Sequence, residues 1–237
     1  MVNKKIQIIP TNPYWNIKLS FILIFFFIFV IASVLAVTGV LGNLDEIITK
    51  FINQIRSQTL DTVFIIITTM SDTINLIIVG FILTIIKRTR RIGMILLITL
   101  VSVTILVTYC KPLFAIEHPS IDFKPLVKLP DKFTLERDSF MPFAQDYSYP
   151  SNHIASAAAF SFIVAGLSYR YSSRFAIAFL ISFPLLIGFT KLYLFQHHLI
   201  DLVGGYFFGL VIAAVMVKAL KANDQQRINV VDSNHGD

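Results

Sequence analysis

The chain has 237 residues, of which 55% are hydrophobic and only 14% are charged, and its mean hydropathy is +0.73. This composition excludes an ordinary water-soluble domain and indicates a membrane protein. The formal net charge of +6 does not require a nucleic-acid partner, because the basic residues cluster beside apolar segments, where they orient the chain and contact anionic lipids.

Six apolar segments are predicted to cross a bilayer. The hydrocarbon core is about 30 Å thick and an α-helix rises about 1.5 Å per residue, so one crossing needs roughly 20 residues. The predicted spans are 17–42, 62–86, 92–110, 152–169, 175–195 and 199–217. The first is long for a signal peptide, and we predict that it is retained. The predicted fold is therefore all-α, a single polytopic domain over residues 1–237 built as a six-transmembrane-helix bundle.

Basic residues predict the orientation of this bundle. They lie near the N-terminus, after the second and fourth predicted spans, and near the C-terminus: Lys4, Lys5, Lys18, Lys87, Arg88, Arg90, Arg91, Arg170, Arg174, Lys218, Lys221 and Arg227. Because basic loops stay on the cytoplasmic side, residues 1–16 and a flexible tail at 222–237 are predicted to be cytoplasmic. The loop 111–151, between the third and fourth spans, is then extracytoplasmic.

Two further segments stand out between the spans. Residues 43–60 carry apolar side chains at helical spacing, which predicts a short helix lying in the outer membrane interface. The loop 111–151 contains several prolines and is too long for a simple turn. Loops of that length usually bind or cover something.

Polar groups suited to phosphate chemistry gather at the outer ends of the predicted spans. His197 and Asp201 are four residues apart, so on a helix the carboxylate can orient the imidazole and leave its other nitrogen free. The predicted topology brings His153, Lys111 and Lys191 to the same rim. Ionisable groups at membrane depth tend to line functional cavities. A phosphate ester suits this set: cations hold the anion, one histidine attacks, and the other protonates the leaving oxygen.

Three short motifs make the chain resemble the type 2 phosphatidic acid phosphatase superfamily. That family's signature is Lys, six residues, Arg-Pro; then Pro-Ser-Gly-His; then Ser-Arg, five residues, His, three residues, Asp. Here the motifs read KPLFAIEHP from Lys111, PSNH from Pro150 and TKLYLFQHHLID from Thr190 to Asp201. All spacings within the motifs match, and the resemblance covers roughly residues 60–215.

The resemblance implies a phosphatase that needs no metal and no other cofactor. By this resemblance His197 is the nucleophile that forms a phosphohistidine, Asp201 orients it, and His153 is the general acid. Water then hydrolyses the phosphohistidine, with His153 acting as base. The implied phosphate-binding residues are Lys111, His118, Ser151, Asn152 and Lys191.

Four positions depart from the family signature. His118 replaces arginine, Asn152 replaces glycine, and Thr190-Lys191 replaces Ser-Arg. Neither lysine nor imidazole reproduces the bidentate grip of arginine on phosphate. A histidine with an ordinary pKa of about 6.5 holds phosphate only while protonated. We therefore expect an active enzyme with a relaxed phosphate clamp and an acid-leaning pH optimum.

Two other polar residues have more ordinary interpretations. His198 points about 100° away from His197 on a helix, which favours an interface residue over a catalyst. Asp72 lies inside the second predicted span, where it either serves a site or caps a local helix break together with Ser71 and Thr73.

A site at the outer rim would take its substrate sideways from the outer leaflet. The long loop resembles the bacterial phosphatidylglycerophosphatase B type, which implies phosphatidylglycerol phosphate, phosphatidic acid and undecaprenyl pyrophosphate as substrates. Lipid A phosphatases of the same superfamily remain competitors. The expected location is the plasma (inner) membrane with the site on the extracytoplasmic (periplasmic) side. The expected partners are a phospholipid or polyprenyl phosphate substrate and the bilayer, and the oligomeric state is left open.

Four alternatives remain open. A lipid phosphotransferase would use the same phosphohistidine, and a lapsed phosphatase would keep only lipid binding. A transporter would place its polar groups at the midplane instead of at one rim. A zinc enzyme would use His153, His197 and Asp201 as ligands.

Overall fold

A computed structural model describes residues 12–121 apart from residue 71, residues 123–128, 138–139 and 141–220. Within these ranges the secondary structure consists of helices and one isolated β-bridge, so the predicted all-α class is confirmed. The α-helices are α1 (Leu19–Thr38), α2 (Gly42–Ile55), α3 (Gln58–Met70), α4 (Thr73–Ile85), α5 (Arg90–Phe114), α6 (Asn152–Ser168), α7 (Ser173–Tyr193) and α8 (Leu199–Ala219). The predicted tail at 222–237 and most of the N-terminal segment 1–16 lie outside the described residues.

Four helices are long and apolar enough to cross a membrane: α1, α5, α7 and α8. The pair α3 and α4 passes the same test when taken together, with a bend of 49° at the break between them, which raises the number to five. The helix α6 is apolar but has only 17 residues. The structure therefore supports four or five spans by length and composition, where the sequence predicted six.

The predicted second span, 62–86, is not one continuous helix. It is interrupted next to Asp72, the residue that precedes α4. The Asp72 carboxylate lies 3.6 Å from the imidazole Nε2 of His153. A carboxylate facing lipid would be strongly unfavourable, and the interruption directs it towards a polar partner inside the bundle.

The segment predicted as one interfacial helix at 43–60 forms α2 and the first turn of α3. Only Ile52 of α2 is fully buried. The side chains of Glu46, Lys50 and Asn53 are exposed, whereas Asp45 faces the start of α8. The position of α2 in the membrane interface stays a prediction.

The helix α6 forms the centre of the bundle. Almost all of its side chains are buried, and it packs against α4, α5, α7 and α8. Its run of alanines and serines lets neighbouring helices approach closely. On α8 the approach is closest at Gly209, where an added Cβ would lie 2.1 Å from the carbonyl oxygen of Ala155.

The helix ends meet at two opposite ends of the bundle. At one end the Arg91 side chain donates a hydrogen bond to the carbonyl of Leu220 at 3.1 Å, which joins the start of α5 to the end of α8. At the other end the Ser151 amide donates to the carbonyl of Asp201 at 3.3 Å, which joins the start of α6 to the start of α8. The predicted convergence of motif-bearing helix ends is therefore present.

Candidate active site

The three sequence motifs come together at the end of the bundle where α5 and α7 finish and α6 and α8 begin. Most of the predicted site residues are buried there: Lys111, Ser151, Asn152, His153, Lys191, His197 and Asp201. His118, in the segment after α5, is half-buried beside them. The site is therefore a polar centre enclosed by apolar helices.

His197 has the surroundings of a nucleophile. Its Nδ1 lies 3.2 Å from the carboxylate Oδ2 of Asp201, which also accepts the amide of His198 at 2.8 Å. Its Nε2 lies 3.1 Å from the hydroxyl of Ser151. A carboxylate that accepts a hydrogen bond from Nδ1–H fixes the orientation of the ring, and Nε2, the atom that faces the centre of the site, can act as nucleophile whenever it carries no proton.

His153 sits in the first turn of α6 between two carboxylates. Its Nδ1 lies 2.6 Å from Oδ1 of Asp138, and its Nε2 lies 3.6 Å from Oδ1 of Asp72. Attraction to two carboxylates suits an imidazole that carries a proton. His153 therefore has the surroundings that a general acid needs.

Asp138 occupies the centre of the site, although its role was not predicted from the sequence. Its carboxylate lies 2.8 Å from Nζ of Lys111 and 3.3 Å from Nε2 of His197. It also accepts the Asn152 amide at 2.9 Å and the His153 amide at 3.2 Å. No motif contains Asp138; only the length of the loop 111–151 hinted at a residue of this kind.

The charge state of Asp138 follows from these contacts. Burial by itself would raise the pKa of its carboxyl group. The positive charges of Lys111 and His197, with hydrogen bonds from His153 and His197, outweigh burial and hold the pKa well below its usual value. Asp138 is therefore a carboxylate anion at neutral pH.

Lys191 and His118 both form hydrogen bonds with Gln196. The Lys191 ammonium donates to the Gln196 side-chain oxygen at 3.0 Å, and the His118 Nδ1 lies 2.7 Å from the Gln196 carbonyl oxygen. The His118 ring lies 5.6 Å from the His197 ring. Burial lowers the pKa of His118, and the charge of His197 lowers it further, although the Gln196 carbonyl opposes this. His118 therefore carries its charge only at a lower pH than an exposed histidine.

The charges around this centre favour an anion over a metal ion. Asp138, His153 and His197 each offer a ligand atom, and these atoms lie within 4.8 Å of one another. However, the Lys111 ammonium and the amides at the start of α6 point at the same place. A cation there would be repelled by both, whereas a helix N-terminus beside a lysine is a common phosphate site.

One cavity adjoins the centre, and a second lies nearby. A cavity of about 130 Å³ lies on the side of α2, lined by residues that include Asp45, Thr49, Pro119, His197 and His198. An apolar cavity of about 290 Å³ lies between α7 and α8. Its lining includes Ile154 and Leu199, which follow His153 and His198 in the chain, but none of the predicted site residues.

Comparison with known proteins gives a family match and a similar fold. The family model described as "PAP2 superfamily" matches residues 92–225, which include every predicted site residue. The chain is also similar to a solved structure described as the first transmembrane PAP2 type phosphatidylglycerolphosphate phosphatase from Bacillus subtilis. The TM-score is 0.64 at 22% identity, over 86% of this chain and 96% of the other. At this identity the likeness shows a shared fold, and the apolar helices agree with a membrane protein. None of the curated proteins matches the chain.

Proposed function

Because this chain belongs to the PAP2 superfamily, we propose that it is a membrane lipid phosphatase that removes phosphate from an amphiphile through a phosphohistidine. The observation that carries the proposal is the pairing of two imidazoles at one anion-binding position. Nδ1 of His153 and Nε2 of His197 both face the same oxygen of Asp138, at 2.6 and 3.3 Å. A phosphoryl group at this position would meet a nucleophile on one side and an acid on the other.

In the proposed reaction the lone pair on Nε2 of His197 attacks phosphorus. The bond between phosphorus and the lipid oxygen breaks, and His153 gives its proton to that oxygen, so the dephosphorylated lipid leaves. Asp201 stabilises the positive charge that forms on the attacking imidazole. Water then attacks phosphorus, His153 takes a proton from it, and the bond to His197 breaks, which releases inorganic phosphate.

The proposed phosphate clamp combines side chains with backbone amides. Lys111 and Ser151 reach the central position, and the amides of Asn152 and His153 point at it from the first turn of α6. Lys191 and His118 are proposed to complete the clamp from the side of His197. The acid-leaning pH optimum stays a prediction, and the lowered pKa of His118 moves its charge loss towards still lower pH.

The proposed substrate is an amphiphile because an apolar cavity lies between α7 and α8, the helices that end and begin beside the centre. The cavity between α7 and α8 is lined mainly by aliphatic and aromatic side chains, which suits an acyl or polyprenyl chain. Phosphatidylglycerol phosphate, phosphatidic acid, undecaprenyl pyrophosphate and lipid A are the proposed candidates. We also propose that the bent pair α3–α4 and the short α6 both cross the plasma (inner) membrane. This gives six spans, with the site and the loop 111–151 on the extracytoplasmic side.

Phosphate release by the purified full-length chain from these four lipids tests the proposal. His153→Ala is expected to lower kcat by about 10²–10⁴-fold, the usual contribution of a general acid. His197→Ala is expected to abolish release, because no phosphohistidine can form. His235→Ala, in the C-terminal tail, serves as the matched control and should keep wild-type activity.

Three results would contradict the proposal. Release that persists in His197→Ala would exclude the phosphohistidine. Wild-type protein that releases nothing from any of the four lipids would favour a lapsed, lipid-binding relative. Activity that a chelator abolishes and zinc restores would assign a metal to the site.

A further inference from the structure

We propose that the carboxylate of Asp138 stands in for the substrate phosphate and holds the protein in a self-inhibited resting state. This inference rests on the proposed function, since Asp138 would block the same site. It concerns a residue outside the three sequence motifs, which reaches the centre from the loop between α5 and α6.

Asp138 is surrounded by hydrogen-bond donors and positive charge. Its carboxylate is paired with the Lys111 ammonium at 2.8 Å and approached by the Ser151 hydroxyl at 3.4 Å. The amides of Asn152 and His153 donate to it from the start of α6. These groups are the ones proposed to hold phosphoryl oxygens. A single carboxylate therefore takes up the donors that the substrate needs.

Asp138 also fills the space that the reacting phosphorus atom would need. An in-line attack needs the nucleophile about 3–3.5 Å from the reacting atom. Oδ1 of Asp138 already lies 3.3 Å from Nε2 of His197 and 2.6 Å from Nδ1 of His153. Phosphorus cannot reach its place beside His197 while that oxygen is present. Two adjacent anions would also repel each other strongly in a buried site.

Asp138 also balances the buried positive charge of Lys111. Lys111 is fully buried, and its ammonium also donates to the carbonyls of Tyr147 and Ser148. A buried ammonium left without an anion is strongly destabilising. Asp138 can leave at low cost only if another anion takes its place. The expected process is an exchange of one anion for another, and phosphate has the required charge and oxygen acceptors.

The consequence is a lowered apparent affinity for phosphate. When only a fraction of molecules is open for binding, the apparent dissociation constant rises by the inverse of that fraction. Removing the internal anion should therefore tighten binding of any phosphate-like ligand, without a new contact to that ligand.

The experiment compares Asp138→Asn with wild type in the full-length protein in detergent. Asparagine keeps the size and one acceptor oxygen of aspartate but removes its charge. Asp146→Asn is the matched control, because Asp146 is exposed in the same loop. Binding of inorganic phosphate and of orthovanadate is measured from the ligand-dependent rise of the unfolding temperature. This readout does not require turnover.

We expect Asp138→Asn to bind phosphate about tenfold more tightly or better, while Asp146→Asn binds as wild type does. Without ligand, Asp138→Asn should unfold at a lower temperature than wild type because Lys111 has lost its anion. Saturating phosphate should raise the unfolding temperature of the variant back to that of wild type. Asp138→Glu keeps the charge and should bind phosphate no more tightly than wild type.

Two outcomes would overturn the proposal. Phosphate affinity that is unchanged or weaker in Asp138→Asn would make Asp138 a cap for α6 or a catalytic group. An unfolding temperature that phosphate does not restore would exclude the exchange of anions. A failure of the proposed function would give a different result. If wild type released no phosphate from any lipid but Asp138→Asn still bound phosphate more tightly, the phosphatase proposal would be wrong and the proposal that Asp138 acts as an internal anion would stand.

Discussion

His198 follows the proposed nucleophile in the chain but is bound to a different element. Its Nδ1 lies 3.2 Å from the Asp45 carboxylate, which also accepts the Leu199 amide at 2.9 Å. Asp45 of α2 therefore caps the start of α8 from outside that helix. This contact agrees with the interpretation of His198 as an interface residue.

The stability of the protein is expected to depend on pH through His198. The hydrogen bond to Asp45 raises the pKa of His198 above its ordinary value, although burial opposes the rise. Burial would raise the pKa of Asp45, but the bonds from His198 and Leu199 lower it, so Asp45 stays charged near neutrality. A histidine with a raised folded-state pKa adds stability that is complete below about pH 6.5 and is lost as the pH rises through the raised value.

The measurement is the unfolding temperature of wild type and His198→Gln between about pH 5.5 and 9. Wild type should be more stable than the variant at the acid end, and the difference should shrink towards the alkaline end. Asp45→Asn should lose the same pH-dependent part. A difference that is constant across the range would show that His198 contributes by packing alone.

Residue roles differed in how far the sequence could predict them. The contact between His197 and Asp201 was predictable from their spacing of four residues. The expectation that both lie on one helix was wrong, because His197 precedes α8 by two residues and Asp201 lies in its first turn. Asp138 was not predictable, because its partners come from α5, α6 and the segment just before α8, which are separate from it in the chain. Periodicity along one helix says nothing about contacts of this kind.

At the scale of helices, the contact between α6 and α8 sets the geometry of the site. Gly205 and Gly209 of α8 lie against the backbone of α6, with an added Cβ at Gly205 only 2.6 Å from the Ser151 carbonyl oxygen. The close approach brings the first turn of α6, which carries His153, against α8, which His197 precedes by two residues. Small residues at helix contacts are the usual means of such an approach.

Gly209→Ala is expected to destabilise the protein by about 1–3 kcal/mol, the usual range for overpacking. The new methyl group would press on the Ala155 backbone, which cannot rotate away as a side chain would. Gly42→Ala is the control, because an added Cβ there meets no atom within 4 Å. Equilibrium unfolding in mixed detergents measures both; equal stabilities would contradict the close contact.

At the scale of the molecule, the distribution of charge and the position of the site predict the orientation in the membrane. The site lies at the end where α6 and α8 begin, and the basic residues at the start of α5 lie at the opposite end, beside the end of α8. Because basic ends stay in the cytoplasm, the site should face outwards.

Labelling with a membrane-impermeant maleimide on intact cells tests this orientation. Cys110, the only native cysteine, is first replaced by Cys110→Ser. Asp146→Cys, beside the site, should then be labelled from outside. Tyr171→Cys, in the exposed connection between α6 and α7, should be labelled only after the cells are opened. The reverse pattern would place the site in the cytoplasm.

The sequence by itself determined the membrane class, the helical architecture and the three motifs, because hydropathy and spacing along a helix are local properties. The tertiary structure decided which polar groups share one centre and what occupies it. It broke the second predicted span at Asp72, and it placed the Asp138 carboxylate among the groups proposed to bind phosphate. Both features depend on charges paired across distant segments, since a buried ionic group is stable only where the fold brings its partner.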